Sequence, residues 1–254
     1  TDSITYSQRI QNAILPDDDR LNSYFDEYFV LFNPKDIVSG DFYWANEKNG
    51  KHYFVAADCT GHGVPGAIMS VIGHTSLETT LKDTVEYSAG EFLDALTNNL
   101  VHTLVQSSKQ VIKDGMDLAL CIYDKQKNVI EYAGANNPIY IIRPKISGFD
   151  EVLNEQSLSL ENKDYYLFEI KATKQPIGHF EHRNNFITHT INMKKNDVIY
   201  LFSDGFADQF GGENGKKFKY KPFKQLLLEL QLENMNKQKE LLNKALNEWM
   251  RPDE

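Results

Sequence analysis

Three aspartates in this chain stand where a carboxylate leaves a hydrophobic run, and the spacing sets two of them against each other. Asn49-Gly50 is a dipeptide preferred in two-residue type I′ hairpin turns, and apolar residues flank it on both sides. With the turn placed there, Lys48 faces Lys51 and, counting outward, Asp41 faces Asp58. Tyr43 and Ala45 then oppose Ala56 and Phe54 on the same face, while Phe42 and Trp44 oppose Ala57 and Val55 on the other. Both faces are apolar, so the hairpin is expected to be covered on both sides. Directly opposed side chains have Cβ atoms about 5 Å apart. Two carboxylates at that spacing repel by on the order of 3 kcal/mol at an effective dielectric of about 20. A fold keeps such a pair only with a shared proton, a basic partner or a divalent cation. The cation is favoured over acids stacked at a wet rim, because Asp58 runs directly into Cys59-Thr-Gly-His-Gly-Val-Pro-Gly66, whose glycines let backbone come close to an ion.

The third aspartate ends the run Val198-Ile-Tyr-Leu-Phe-Ser-Asp204-Gly205. Alone, an Asp-Gly after a strand is usually a turn; beside the first pair it reads as a further ligand. Mg²⁺ and Mn²⁺ take oxygen donors, with carboxylates the usual protein source, and no Cys/His spacing here suits zinc. Other hydrolytic designs fit poorly. The glycines of the 61–66 loop are followed by Ala67-Ile68 rather than the Lys-Ser/Thr of a phosphate-binding loop. The positions where a cysteine phosphatase would carry its Arg hold Pro65 and Lys127, and no Gly-x-Ser-x-Gly elbow occurs. His62, alone in its loop, is as often structural as catalytic. Metal-activated water is the mechanism the residues fit best.

The elements that must hold these groups are short apolar runs between turn residues, which predict strands at Tyr28–Phe32, Asp41–Ala45, Tyr53–Asp58, Asp117–Tyr123, Val129–Ala133, Ile139–Ile142, Tyr165–Ile170, Phe186–Ile191 and Val198–Phe202. Helices are expected from Pro65 to about Leu81, and from the capping box Ser88-Ala-Gly-Glu91 onward with Phe92, Leu93, Leu96, Leu100 and Leu104 as its apolar stripe. Two more close the chain, at Lys221–Leu230 and Met235–Trp249. An opening helix over Ile4–Leu15 carries Ile4, Ile10 and Ile14 near one face, a stripe expected to pack on the domain or on a second copy of the chain; Pro16 and an acidic turn at Asp17–Asp19 stop it. Residues 145–163 read as loop and Gly211–Lys217 as a mobile connection. This layout predicts an α+β fold of antiparallel sheets under helical layers.

The 254 residues suffice for one domain with a substantial core, 41% of them hydrophobic and 25% charged. A net charge of -9 argues against nucleic acid as a partner. No apolar run is long enough to span a membrane. Two cysteines make no disulfide framework and fit a reducing cytoplasm. Thr1 is read as a fragment boundary.

The run Pro34-Lys-Asp-Ile-Val-Ser-Gly-Asp41-Phe-Tyr-Trp44 resembles the first metal motif of the SpoIIE/RsbU-like phosphatases, a bacterial branch of the type 2C metal-dependent protein phosphatases. Ala57-Asp58-Cys-Thr-Gly-His-Gly-Val-Pro-Gly-Ala67 resembles their second and Ser203-Asp204-Gly205 their third; Tyr132-Ala-Gly-Ala-Asn-Asn-Pro138 and Gln175-Pro-Ile-Gly178 are also similar to family segments. The resemblance implies a four-layer αββα sandwich of two mainly antiparallel sheets flanked by helices. It implies two Mn²⁺ or Mg²⁺ ions, with Asp58 bridging them and Asp41, Asp204 and the Cys59 carbonyl as further ligands, and a metal-held hydroxide attacking a phosphoserine or phosphothreonine. Implied partners are a phosphorylated regulatory protein such as an anti-sigma-factor antagonist, and an upstream sensor domain in the same polypeptide, with residues 1–16 as the end of the linker and a homodimer in prospect. Residues 17–254 would be the phosphatase domain. Two departures stand out. Asn136 occupies a position where many relatives have His, and the last strand with its Asp-Asp pair is missing after Trp249, Asp253 lying too early to replace it. A catalytically silent module that binds a phosphoprotein is the alternative reading.

Overall fold

The computed structural model describes residues 2–106 and 114–250. Its first hairpin forms as the turn chemistry dictates: Asn49 and Gly50 adopt φ of 54° and 75°, and strands β1 (Asp41–Lys48) and β2 (Lys51–Cys59) pair in the expected register, Asp41 opposite Asp58 through Lys48 opposite Lys51. On β2 lies β3 (Gly115–Asp124), then β4 (Val129–Ala135) and β9 (His189–Asn192), with the short β8 (Ile177–Gly178) on the far end of β3. A second antiparallel sheet runs β10 (Val198–Tyr200), β5 (Ile139–Pro144), β7 (Tyr165–Ile170), β6 (Leu158–Glu161).

Alternation along the strands divides the core into three slabs. Phe42, Trp44, Val55, Ala57, Leu118 and Leu120 face α3 (Gly63–Leu81) and α4 (Ala89–Gln106). Residues of opposite parity, Ala119, Cys121, Ile130 and Tyr132, meet Ile139, Ile141 and Phe168 of the second sheet. The outer face of that sheet, with Tyr140, Ile142 and Leu167, is covered by α6 (Tyr220–Glu229) and α7 (Met235–Met250). The result is helices, sheet, sheet, helices: the expected αββα sandwich. The capping box at α4 is present, Glu91 accepting from both the N–H and the hydroxyl of Ser88 at 2.9 and 2.7 Å.

Several expectations need correction. Tyr28–Phe32 is not a strand; it runs with no ladder partner along a large groove that it shares with Val198–Phe202. The expected strand at Phe186–Ile191 begins only at His189, because Phe186 is drawn into the helix-side core. Residues 145–163 are not all loop: a turn of 3₁₀ helix at Lys145–Ser147 and strand β6 lie within it. Gly211–Lys217 belongs to a small hairpin of β11 (Phe210–Gly211) and β12 (Lys216–Lys217), tied down where Gly212 donates to the Trp249 carbonyl at 2.8 Å. The acidic turn is the start of a helix, α2 (Asp18–Tyr24), capped by Asp17 accepting from the Arg20 N–H. Helix α1 (Asp2–Ile14) leaves Ile4 and Ile10 exposed; the residue it buries is Gln11. Asp253 lies outside the described residues.

Candidate metal centre

Sheet parity decides which side chains meet. Asp41 and Asp58 sit on the strand face that looks between the two sheets, at the end of β1 and β2. The next strand adds an acid that the sequence reading missed: Asp117 of β3 is directly opposite Asp58 from the other side. Three aspartates therefore lie abreast on neighbouring strands, with Asp58 in the middle. Asp204 arrives from the second sheet, just past β10, at the start of the short helix α5 (Gly205–Asp208), and Ser203 beside it donates to Asp41 Oδ2 at 2.7 Å.

The electrostatics follow from that crowding. Burial first, then the charge and hydrogen-bonding proximity of Asp41, push the Asp58 carboxyl up to about 8, with Asp204 and Asp117 adding to the effect. Asp204 is raised by partial loss of water and then by Asp208 and Asp41, with Lys217 opposing. Asp117 is raised by burial, partly offset by Asn136, whose side-chain amide donates to its Oδ1 at 2.8 Å. Asn136, at φ 58°, thus serves the cluster by holding Asp117.

Around the acids the backbone is packed too tightly for side chains. A Cβ on Gly40 would sit 2.9 Å from the Gly61 carbonyl and 3.0 Å from that of Cys59, and one on Gly66 would sit 2.6 Å from the Gly61 carbonyl. The Cys59 thiol points the other way, into the core under α3 and α4. Among the described residues no three His, Cys, Asp or Glu are closed into a ready chelate. What fits a hard divalent cation is the donor chemistry: four carboxylates that repel one another, and backbone carbonyls in the glycine-lined loop at their edge. His62 is almost fully exposed and stands 3.8 Å from Asp36.

The chain matches the family model described as stage II sporulation protein E over residues 48–253. Its fold is similar to the SiaA-PP2C domain of Pseudomonas aeruginosa, at 25% identity and a TM-score of 0.77, covering 98% of this chain and 89% of that one. The serine/threonine phosphatase PstP/Ppp of Mycobacterium tuberculosis superposes with a TM-score of 0.51 at 15% identity, covering 90% of this chain and 92% of the other. RsbX in complex with magnesium gives a TM-score of 0.51 at 11% identity, over 84% and 80% of the two chains. No curated protein matches the sequence.

Proposed function

This chain belongs to the SpoIIE family, and from that premise we propose that it is a metal-dependent protein serine/threonine phosphatase whose ions are held by Asp41, Asp58, Asp204 and the Cys59 carbonyl. The observation that carries the reading is the Asp41–Asp58–Asp117 row, in which a carboxyl flanked by acids on both neighbouring strands has no basic side chain among the described residues to offset it. Divalent cations are the economical remedy, and magnesium stands in the RsbX structure of the same fold. Asp41, Asp58, Asp204 and the Cys59 carbonyl would hold Mn²⁺ or Mg²⁺, two ions in all, with Asp117 opposite Asp58 on the neighbouring strand. When bound, the ions supply an activated water and offset charge on the phosphoryl group being transferred.

The chain's own residues then have distinct tasks. Ser203 orients Asp41 through its hydrogen bond, and Asn136 does the same for Asp117. Gly40 and Gly66 leave no room for a Cβ against the Cys59 and Gly61 carbonyls, and Gly61 takes a φ of 88° that side chains rarely adopt. Lys217, held by Asp208 at 2.7 Å, is a cation whose charge acts on Asp204. The substrate class this reading supports is a phosphorylated regulatory protein, with an upstream sensor region joined at α1. The test is hydrolysis of an aryl phosphate and of a phosphoserine peptide with Mn²⁺, with Mg²⁺ and with EDTA. Turnover that requires metal and disappears in Asp58→Asn is expected. Metal binding without turnover of either substrate would instead favour a silent phosphoprotein-binding module.

A further inference from the structure

In a chain of net charge -9, the nine residues Lys216-Lys-Phe-Lys-Tyr-Lys-Pro-Phe-Lys224 hold five lysines and no acid. The fold sets them beside the acid cluster. Strand β12 pairs back on β11; just past it, the Phe218 N–H donates to the Gln209 carbonyl at 2.9 Å and the Lys219 N–H to the Ala207 carbonyl at 2.7 Å. Ala207 belongs to α5, in which the Asp208 N–H donates to the Asp204 carbonyl at 2.8 Å. Phe218 packs edge-on against Phe206 and Trp249, while its neighbours Lys217 and Lys219 are exposed. The Tyr220 phenol, raised by loss of water first and then by Asp204, Asp208, Glu169 and Asp58, stands within electrostatic reach of the cluster.

Folding uses only two of the five charges. Lys217 is held by Asp208 and Lys224 by Glu169, the latter at 2.5 Å. Among the described residues, Lys216, Lys219 and Lys221 are exposed and have no ion-pair partner. Lys219 is also strained. At φ 77° and ψ 156° it holds a backbone conformation nearly confined to glycine. Glycine would suit that turn better, so what this lysine contributes lies in its side chain, which has no partner in the fold. A phosphorylated side chain carries close to two negative charges, and the overall field of an acidic protein opposes its approach. The lysines reverse that sign locally, next to the acids but outside them. Ions at Asp41, Asp58 and Asp204 would take the phosphoryl group itself, which leaves the lysines for the residues on either side of it.

We propose that Lys216, Lys219 and Lys221 form a docking rim for acidic residues flanking the phosphorylated serine or threonine, so that the preferred substrate is a phosphoprotein segment rich in Asp and Glu. The chemistry in this statement rests on the phosphatase reading above; the docking does not. Both are measured on the full chain with Mn²⁺: turnover of an aryl phosphate and of two phosphoserine peptides, one flanked by glutamates and one by glutamines, and binding of the same peptides by fluorescence anisotropy. At low salt kcat/KM for the glutamate-flanked peptide should exceed that for the other about ten-fold, through KM, the scale of three exposed ion pairs. The preference should shrink to about two-fold at ~0.5 M salt. The triple variant Lys216→Gln/Lys219→Gly/Lys221→Gln should bind and turn over the two peptides alike. Its melting temperature should stay at or above that of wild type, since glycine relieves the backbone there. Should it not fold, Lys216→Gln and Lys221→Gln singly should each halve the preference, and an undiminished preference in both overturns the proposal. Lys237→Gln, which removes a lysine of α7 paired with Glu240, should keep the preference whole. Aryl phosphate turnover with equal kcat/KM for the two peptides overturns the proposal and leaves the phosphatase reading standing. So does binding to phosphatidylserine vesicles that the triple variant loses while its peptide preference is intact, which gives the lysines to a membrane surface. Tighter binding of the glutamate-flanked peptide, lost in the triple variant, with no turnover of any substrate upholds the rim and sinks the phosphatase reading.

Discussion

Two groups of carboxylates are withdrawn from water in this protein, and they are handled in opposite ways. In the second sheet, Arg143 is wholly buried and grips Asp197 with Nε and Nη2 at 2.9 and 2.7 Å; Nη1 reaches Asp150 at 2.6 Å and Nη2 also the Asn192 carbonyl at 3.0 Å. That cluster supplies its own cation, and Asp150 is held below the ordinary carboxylate range by hydrogen bonds and charge that outweigh its burial. At the end of the first sheet, Asp58, Asp117 and Asp204 are all pushed upward, by burial first and then by the charge of neighbouring acids. The first cluster is finished by folding. The second holds its acids together against their mutual repulsion.

The largest effect expected from this contrast is on stability at the finished cluster. Arg143→Leu leaves Asp197 buried and uncompensated, which should cost about 3–5 kcal/mol in urea unfolding, while Mn²⁺ affinity of the protein that remains folded stays near wild type. The unfinished cluster should respond in reverse. Asp58→Asn should lower Mn²⁺ affinity about 100-fold, or ~2.7 kcal/mol, without loss of metal-free stability, so its melting temperature rises less when Mn²⁺ is added. Equal Mn²⁺ stabilisation of both proteins would remove Asp58 from the site.

The next effect is a pH dependence in the metal-free protein. Unfolded, Asp58 gives up its proton near 3.8; folded, it keeps it until about 8. Between those values the unfolded chain is the one that has ionised freely, so stability should fall as pH rises through the window, by on the order of 1–2 kcal/mol after allowance for solvent. Thermal melts of wild type and Asp58→Asn across pH 4 to 9 read this directly: the difference between them should open with rising pH, and parallel curves would disprove it.

The smallest effect concerns the residue next in the chain. Cys59→Ala should leave turnover within about twofold, under ~0.5 kcal/mol of barrier, because only the carbonyl of Cys59 lies on the site side. A small loss of stability, ~1 kcal/mol, is expected from the cavity under α3. Abolished turnover with intact Mn²⁺ binding would point to a nucleophilic thiol.

How much of this could be read from the chain depends on what set each contact. Asn49-Gly50 is a local determinant with one favoured geometry, so the whole β1–β2 register and the Asp41–Asp58 pair follow from it. The Asp58–Asp117 pair has no such determinant. Strands β2 and β3 are joined through two helices, and only tertiary packing sets their register. A clue was present nonetheless: Asp117 is a single acid in a strand whose other residues from Met116 to Ile122 are all apolar, and an acid in that setting needs a partner. Tyr28–Phe32 misled for the reverse reason, since an apolar pattern describes burial and not pairing. For α1 the three isoleucines drew attention, whereas a polar residue between them makes the buried contact. Hydrophobic periodicity cannot register a glutamine that bonds to a backbone.

The orientation of Cys59 has a consequence for oxidant chemistry. Peroxide and disulfide exchange act on thiolates that solvent can reach. Both cysteines here are buried, and burial drives each thiol upward, with Asp58 and Asp41 adding to the effect at Cys59, until almost no thiolate exists at neutral pH. Burial, reinforced by the acids at the front of the strand, thereby passivates the sulfur at its back, and a burst of peroxide finds no sulfur switch at this centre.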